Sequence, residues 1–122
     1  MTVATVHVAR VYDHTTDADG RRILIDRLWP RGMSRSDAQI DQWCKQVAPS
    51  TTLRKWYGHD PRRFAEFSRR YRSELQSGEQ AEALTHLRRL AKHQTLTLLT
   101  ASRDVDISAA VVLAELLRSP SG

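Results

Sequence analysis

The chain has 122 residues, 40% of them hydrophobic and 27% charged, which is the composition of one globular, water-soluble domain with a single core. Nineteen lysine and arginine residues against fourteen aspartate and glutamate residues give a net charge of +5, which favours contact with anions without identifying one. The longest apolar run, residues 109–114, is far shorter than the roughly 20 residues of a membrane span, and a single cysteine, Cys44, excludes an internal disulfide.

The N-terminus lacks the basic and continuously apolar regions of a secretory signal. We therefore expect a cytoplasmic protein with no membrane partner. We expect one domain over residues 1–118, followed by a flexible C-terminal tail over residues 119–122.

The N-terminal part of the chain predicts two strands. Residues 3–11 are rich in Val and Thr and predict the first strand, and residues 14–20 predict a polar turn. The second strand has three successive apolar residues from Ile23, as in a strand buried on both faces, and should end near Leu28. Because the connection has only about ten residues, too few for a helical crossover, we expect the two strands to be antiparallel or irregularly joined.

Capping residues divide the middle of the chain. Ser34 or Ser36 can cap a short helix, and Ser50 or Thr51 can cap another. Between them, residues 41–49 fit either a helical face or an extended segment.

The C-terminal half alternates helix, helix, strand and helix. An apolar stripe predicts a helix over residues 61–77, with proline at its first position and Gly78 closing it. The next predicted elements are a helix over residues 79–93, a buried strand over 95–101 and an apolar helix over 107–117. The whole pattern predicts an α/β fold, a single three-layer-like domain with a small, mostly parallel central sheet flanked by helices.

Several common functional motifs are missing from the sequence. The histidines and the single cysteine show no metal-binding spacing, so we predict no metal site. The glycine-rich nucleotide loops and the serine-hydrolase elbow are also missing, and we predict no cofactor.

Polar and aromatic residues follow the predicted strands at their ends, where open α/β sheets bind ligands. Arg10 and Tyr12 follow the first strand, and Arg27, Trp29 and Arg31 follow the second, where Pro30 and Gly32 predict a tight turn. Arginine can clamp a phosphate and an aromatic ring can stack on a base or sugar. These residues predict a site for a small anionic, phosphate- or nucleotide-like ligand.

Two acids near the strand ends are candidate catalytic residues. Asp26 and Asp104 could act as acid or base, although each also fits a structural role as the partner of an arginine. In that structural interpretation Asp26 pairs with Arg27, and Trp29 fills the core.

Two further functions compete with ligand binding. The helix over residues 61–77 carries two outward rows of arginine that could contact a nucleic-acid backbone, namely Arg62, Arg63, Arg69 and Arg70. Alternatively, the chain is a protein-interaction domain without catalysis. The sequence identifies neither a substrate nor an oligomeric state.

Several stretches together resemble a known family. They are RVYD at 10–13, DRLWPRG at 26–32, W.K..APS at 43–50, LR.W.GHDP at 53–61 and LTLL at 96–99. On these stretches the chain is identified as a member of the YeaO-like family, domain-of-unknown-function family 488, over nearly its whole length. Lys45 and Arg54 join the candidate ligand-binding residues through this resemblance. The family implies small bacterial cytosolic proteins without an established activity.

The chain also departs from that family's pattern. Many relatives have a tyrosine in the last strand and Asn-His-Ala at the final helix, where this chain has Thr100 and Ser108-Ala109-Ala110. If the Asn-His pair carries chemistry in those relatives, this chain lacks it. A shared function would then rest on the arginine, aspartate and tryptophan residues.

Overall fold

The computed structural model describes residues 5–13 and 20–119, which contain one four-stranded sheet. Its strands are β1 (Val6–Arg10), β2 (Arg21–Leu24), β3 (Gln42–Trp43) and β4 (Leu96–Thr100). They lie in the order β1-β4-β2-β3, and each neighbouring pair is parallel. The predicted α/β fold with a small parallel sheet is therefore confirmed.

Helices and short 3₁₀ turns connect these strands. The helices are α1 (Arg35–Ala38), α2 (Thr51–Tyr57), α3 (Phe64–Glu74), α4 (Gly78–Ala91) and α5 (Ala109–Arg118), and the 3₁₀ turns are Lys45–Val47, Pro61–Arg63 and Val105–Ile107. Ser50 caps α2 by accepting a 3.1 Å hydrogen bond from the backbone N–H of Leu53. Asp60 accepts a 3.0 Å bond from the N–H of Arg62 and so caps the turn Pro61–Arg63, while the cap at Ser50 is one of the two that the sequence predicted for α2.

The arrangement of β1 and β2 differs from the prediction. They are parallel because β4, from the C-terminal part of the chain, lies between them and pairs with both. The antiparallel alternative was wrong because it treated strands adjacent in sequence as neighbours in the sheet, whereas the alternative of an irregular connection concerns residues 14–19, which lie outside the described ranges. The turn predicted over residues 14–20 falls outside the described residues except for its last position, as does the tail beyond residue 119.

Several element boundaries also differ from the predicted ones. β2 ends at Leu24, before the predicted Leu28, because the chain leaves the sheet at Asp26 and binds the end of β4 through that side chain. α3 ends at Glu74, and Gly78 begins α4 instead of closing α3. With a φ of +65°, Gly78 supplies the reversal between these two helices. The ambiguous segment at 41–49 is extended through β3 and then forms the first 3₁₀ turn.

The two faces of the sheet are covered differently. Ile23 and Leu98 belong to the main core, which contains the buried residues of helices α2 to α5. Leu24 and Leu99 point to a smaller cluster on the other side, against which Trp29 and other residues pack. None of the helices in the described ranges is both long and apolar enough to cross a bilayer.

Candidate functional site

A cavity of about 410 Å³ lies at the carboxyl ends of the parallel strands. Because β1, β2 and β4 run in the same direction, the segments that follow them reach one edge of the sheet. Those segments contribute Tyr12, residues 25–31 and residues 100–102 to the wall. Residues from α2, α3 and the start of α5 complete it. The volume lies in the range of small-molecule sites, roughly 300–1,000 Å³.

Asp26 lies in this wall and ties β2 to β4. Its Oδ1 accepts a 2.8 Å hydrogen bond from the hydroxyl of Thr100, and its Oδ2 accepts a 2.8 Å bond from the N–H of Ala101. Burial raises the pKa of Asp26, while these two hydrogen bonds and the electrostatic effects of His59 and Arg54 act in the opposite direction. The carboxylate therefore has a structural function in the strand-end region.

Arg27 is held by backbone carbonyls. Its Nε and Nη2 donate to the carbonyl of Pro49 at 3.3 Å, and Nη2 also donates to that of Ala48 at 3.3 Å. It forms no ion pair with Asp26, because that carboxylate faces Thr100 and Ala101 instead. The guanidinium is therefore held beside the cavity by the carbonyls of Ala48 and Pro49, which fix its orientation.

Two further arginines line the cavity without a hydrogen bond or an ion pair among the described residues. Arg31 follows β2 and Arg54 lies in α2, and both are exposed. Within residues 5–13 and 20–119, neither guanidinium makes a hydrogen bond or an ion pair. Together with Arg27, they bring three cationic groups to a cavity whose described wall contains one carboxylate, that of Asp26.

The aromatic candidates have different environments. Trp29 lines the cavity but is partly buried, packing edge-on against Trp43 with ring centroids 5.3 Å apart. Tyr12 also lines the cavity and is 48% exposed. The guanidinium of Arg10 lies 4.9 Å from the centre of the Tyr12 ring and donates through Nε to the carbonyl of Ser102 at 3.2 Å. Arg10 therefore supports Tyr12 from outside the lining residues.

Other candidate residues do not line the cavity. Lys45 lies 5.1 Å from the centre of the Trp43 ring, and Asp104 is exposed beside the 3₁₀ turn Val105–Ile107. The four arginines proposed to contact nucleic acid lie on the surface, in the turn before α3 and in its middle, and form local ion pairs: Arg62 and Arg63 with Asp60, and Arg69 and Arg70 with Glu66.

The structure also adds residues that were not among the candidates from the sequence. His59 lines the cavity and has a φ of +57°, a conformation that is uncommon for a residue other than glycine. Tyr57 and Phe67 stack at 4.2 Å and also line it. Burial, with Asp104 and Asp60 nearby, raises the pKa of Tyr57 to about 12. The turn sequence Gly-His-Asp-Pro is a feature of the sequence that could have indicated a site residue at His59. Phe67 lies in the apolar stripe of a helix, which predicts only a core residue.

Thr100, Ser108 and Ala109, where the sequence differs from what the family resemblance implies, all line the cavity. Ser108 is 2% exposed, and its hydroxyl donates to the carbonyl of Val105 at 2.7 Å. Across the described ranges, no cluster of three or more His, Cys, Asp or Glu side chains is arranged to hold a metal ion.

The parallel sheet and its arginine-lined cavity define a small α/β protein with a pocket at the strand ends. A family model described as "Inactive DUF488-N3 subclade" matches residues 5–121. The chain therefore belongs to the YeaO-like DUF488 family, as its resemblance indicated.

Curated relatives cover nearly the whole chain. Uncharacterized proteins of Mycobacterium tuberculosis (Rv3073c) and Mycobacterium bovis (Mb3100c) are each 48% identical to it over 112 residues, which is 92% of this chain and 92% of theirs. The uncharacterized protein YeaO of Escherichia coli is 42% identical over 114 residues, covering 93% of this chain and 97% of YeaO. No solved structure gives a significant match.

Proposed function

We propose that this protein binds a small anionic, phosphate-bearing ligand in the strand-end cavity, as a binding protein without catalysis of its own. The observation that carries the proposal is the excess of positive charge around the cavity. Arg27, Arg31 and Arg54 line it, whereas the oxygens of Asp26 already accept hydrogen bonds from Thr100 and Ala101. An anion would supply the charge that the described wall lacks.

The three arginines would contribute differently to binding. Arg27 is oriented in advance by the carbonyls of Ala48 and Pro49, so little side-chain freedom is lost when it meets an anion. Arg31 and Arg54 are exposed, and neither makes a hydrogen bond to a described residue that would have to break before it could bind an anion. This combination of one fixed and two adaptable cations suits a phosphate with several accepting oxygens.

Two features support binding in preference to catalysis. Each oxygen of Asp26 accepts a hydrogen bond, which favours a structural function over proton transfer, and Asp104 does not line the cavity. The matching family description also calls the subclade inactive. Asp26 and Asp104 therefore have weaker support as catalytic residues than the arginines have as ligand-binding residues.

A calorimetric titration with inorganic phosphate and with a nucleoside monophosphate tests the proposal. We expect the wild type to bind at least one of them and the double variant Arg31→Ala plus Arg54→Ala to bind it about tenfold to a hundredfold more weakly, because charge-assisted hydrogen bonds are lost. The matched control is Arg89→Ala plus Lys92→Ala, which removes the same charge from exposed positions at the end of α4. Absence of binding by the wild type, or an equal loss in both variants, would contradict the proposal.

The nucleic-acid alternative depends on the arginines beside and within α3. Their ion pairs with Asp60 and Glu66 lower the charge that they offer to a phosphate backbone. If that alternative were correct, fluorescence anisotropy with oligonucleotides would show binding that weakens steeply with salt and is lost in Arg62→Ala plus Arg69→Ala. The protein-interaction alternative predicts neither oligonucleotide nor phosphate binding.

A further inference from the structure

The cavity is larger than a single phosphate requires. Its volume of about 410 Å³ lies in the range of sites that hold whole small molecules, roughly 300–1,000 Å³, whereas a phosphate ion is only a small part of such a molecule. Part of its wall is apolar and aromatic, formed by Ile25, Tyr57 and Phe67. A ligand that fills the cavity therefore has an uncharged part as well as an anionic part.

Two exposed apolar side chains belong to the same cavity. Tyr12 is 48% exposed and Leu28 is 61% exposed, and both line the wall that also contains Arg27, Arg31 and Arg54. Large exposed apolar groups that lie together at a cavity are typical of ligand sites. The surface that a ligand would cover here is therefore both cationic and apolar.

The ring of Tyr12 is contacted by an arginine that does not itself line the cavity. Arg10 lies against its ring at 4.9 Å and is itself bound to the carbonyl of Ser102, at the end of β4. An aromatic ring held in this way can stack on another ring with little loss of conformational freedom. The chemistry of this wall therefore favours a planar apolar group over a flexible polar one.

We propose that the ligand is a phosphate monoester of a planar, largely apolar group, with Tyr12 and Leu28 contacting that group. The inference rests on the proposed anion-binding function, in which the arginines hold the phosphate. It adds the group that carries the phosphate and proposes that Tyr12 and Leu28 contact that group. Leu28 was not a candidate binding residue in the sequence.

Calorimetric titrations with three probes test this inference. The probes are inorganic phosphate, glycerol phosphate and phenyl phosphate, which share the anionic group and differ in what it carries. We expect phenyl phosphate to bind at least about tenfold more tightly than the other two, equivalent to about 1.4 kcal/mol. In Tyr12→Ala and in Leu28→Ala, the ratio between phenyl phosphate and inorganic phosphate affinities should fall towards one.

The outcomes separate this inference from the function on which it rests. Equal affinity for all three probes would overturn the planar-group inference and leave anion binding supported. A preference for phenyl phosphate that persists in both variants would overturn the assignment to Tyr12 and Leu28. Absence of binding by any probe would overturn the inference and the proposed function together. Circular dichroism of each variant shows whether its fold is intact.

Discussion

The hydroxyl of Thr100 donates a 2.8 Å hydrogen bond to the carboxylate of Asp26, which links the end of β4 to the segment that leaves β2. The second carboxylate oxygen binds the N–H of Ala101, and the backbone carbonyl of Asp26 accepts a 2.8 Å bond from the Trp43 indole. One residue thus connects the ends of three strands at the edge where the cavity opens. Its properties should affect the stability of this whole region.

The stability of the protein should depend on pH through Asp26. Burial raises the pKa of this carboxyl above its usual 3.8, so the folded state keeps the proton at pH values where the unfolded chain has lost it. The contribution of Asp26 to stability is therefore complete below about pH 3.8 and is lost as pH rises through the raised pKa. Relative to Asp26→Asn, which does not titrate, the wild type should lose up to about 1.4 kcal/mol per pH unit in that window. Urea unfolding of both proteins from about pH 4 to pH 7 measures this difference, and a constant difference would contradict the prediction.

Arg27 and Arg31 should differ sharply in their effect on stability. Arg27→Ala removes three hydrogen bonds to the carbonyls of Ala48 and Pro49 and should lower the free energy of unfolding by about 1–3 kcal/mol. Arg31→Ala should change it by less than about 0.5 kcal/mol, because its guanidinium has no partner in the described residues. Urea unfolding of the two variants gives the comparison. Equal stability of both would show that the carbonyl contacts of Arg27 contribute little.

Ser50 should stabilise the fold through both its cap and its contact with α3. Its hydroxyl accepts the N–H of Leu53 and donates to Glu74 at 2.5 Å. Ser50→Ala should therefore lower the free energy of unfolding by about 1–2 kcal/mol. Thr51→Ala, at the exposed neighbouring position, is the control and should cost less than about 0.5 kcal/mol. Thermal unfolding measures both, and a similar loss in the control would argue against the cap.

Gly20 and Gly32 should respond unequally to the same substitution, although both have positive φ values, +65° and +72°. A Cβ atom at Gly20 would lie 2.2 Å from the carbonyl oxygen of Thr95, whereas the space around Gly32 is open. Gly32→Ala should cost about 1–2 kcal/mol from backbone strain alone. Gly20→Ala should cost clearly more, because the backbone of Thr95 would also have to move. Chemical unfolding of the two variants tests this order, and a reversed order would contradict it.

Local sequence patterns identified some of the residues that line the cavity and missed others. Tyr12, Arg27 and Arg31 were found from the sequence because they follow predicted strands directly, and parallel strands end at one edge of a sheet. His59 and Ser108 were not among the candidates, since their neighbourhood depends on how α2 and α5 pack on the sheet. The sequence also did not show that Lys45 and Asp104 do not line the cavity. Both residues lie close in sequence to the end of a strand, but that closeness does not determine where their side chains point.

The sequence by itself determined the types of the main elements and the cap of α2 at Ser50, because apolar periodicity and capping act within a few residues. It also determined the concentration of arginine and aromatic residues after the strands. Only the tertiary structure decided that β4 lies between β1 and β2, and that Arg27 binds carbonyls while Asp26 binds Thr100. Those choices are made by hydrogen bonds and packing between segments far apart in sequence, whose energies depend on which groups meet in the folded chain.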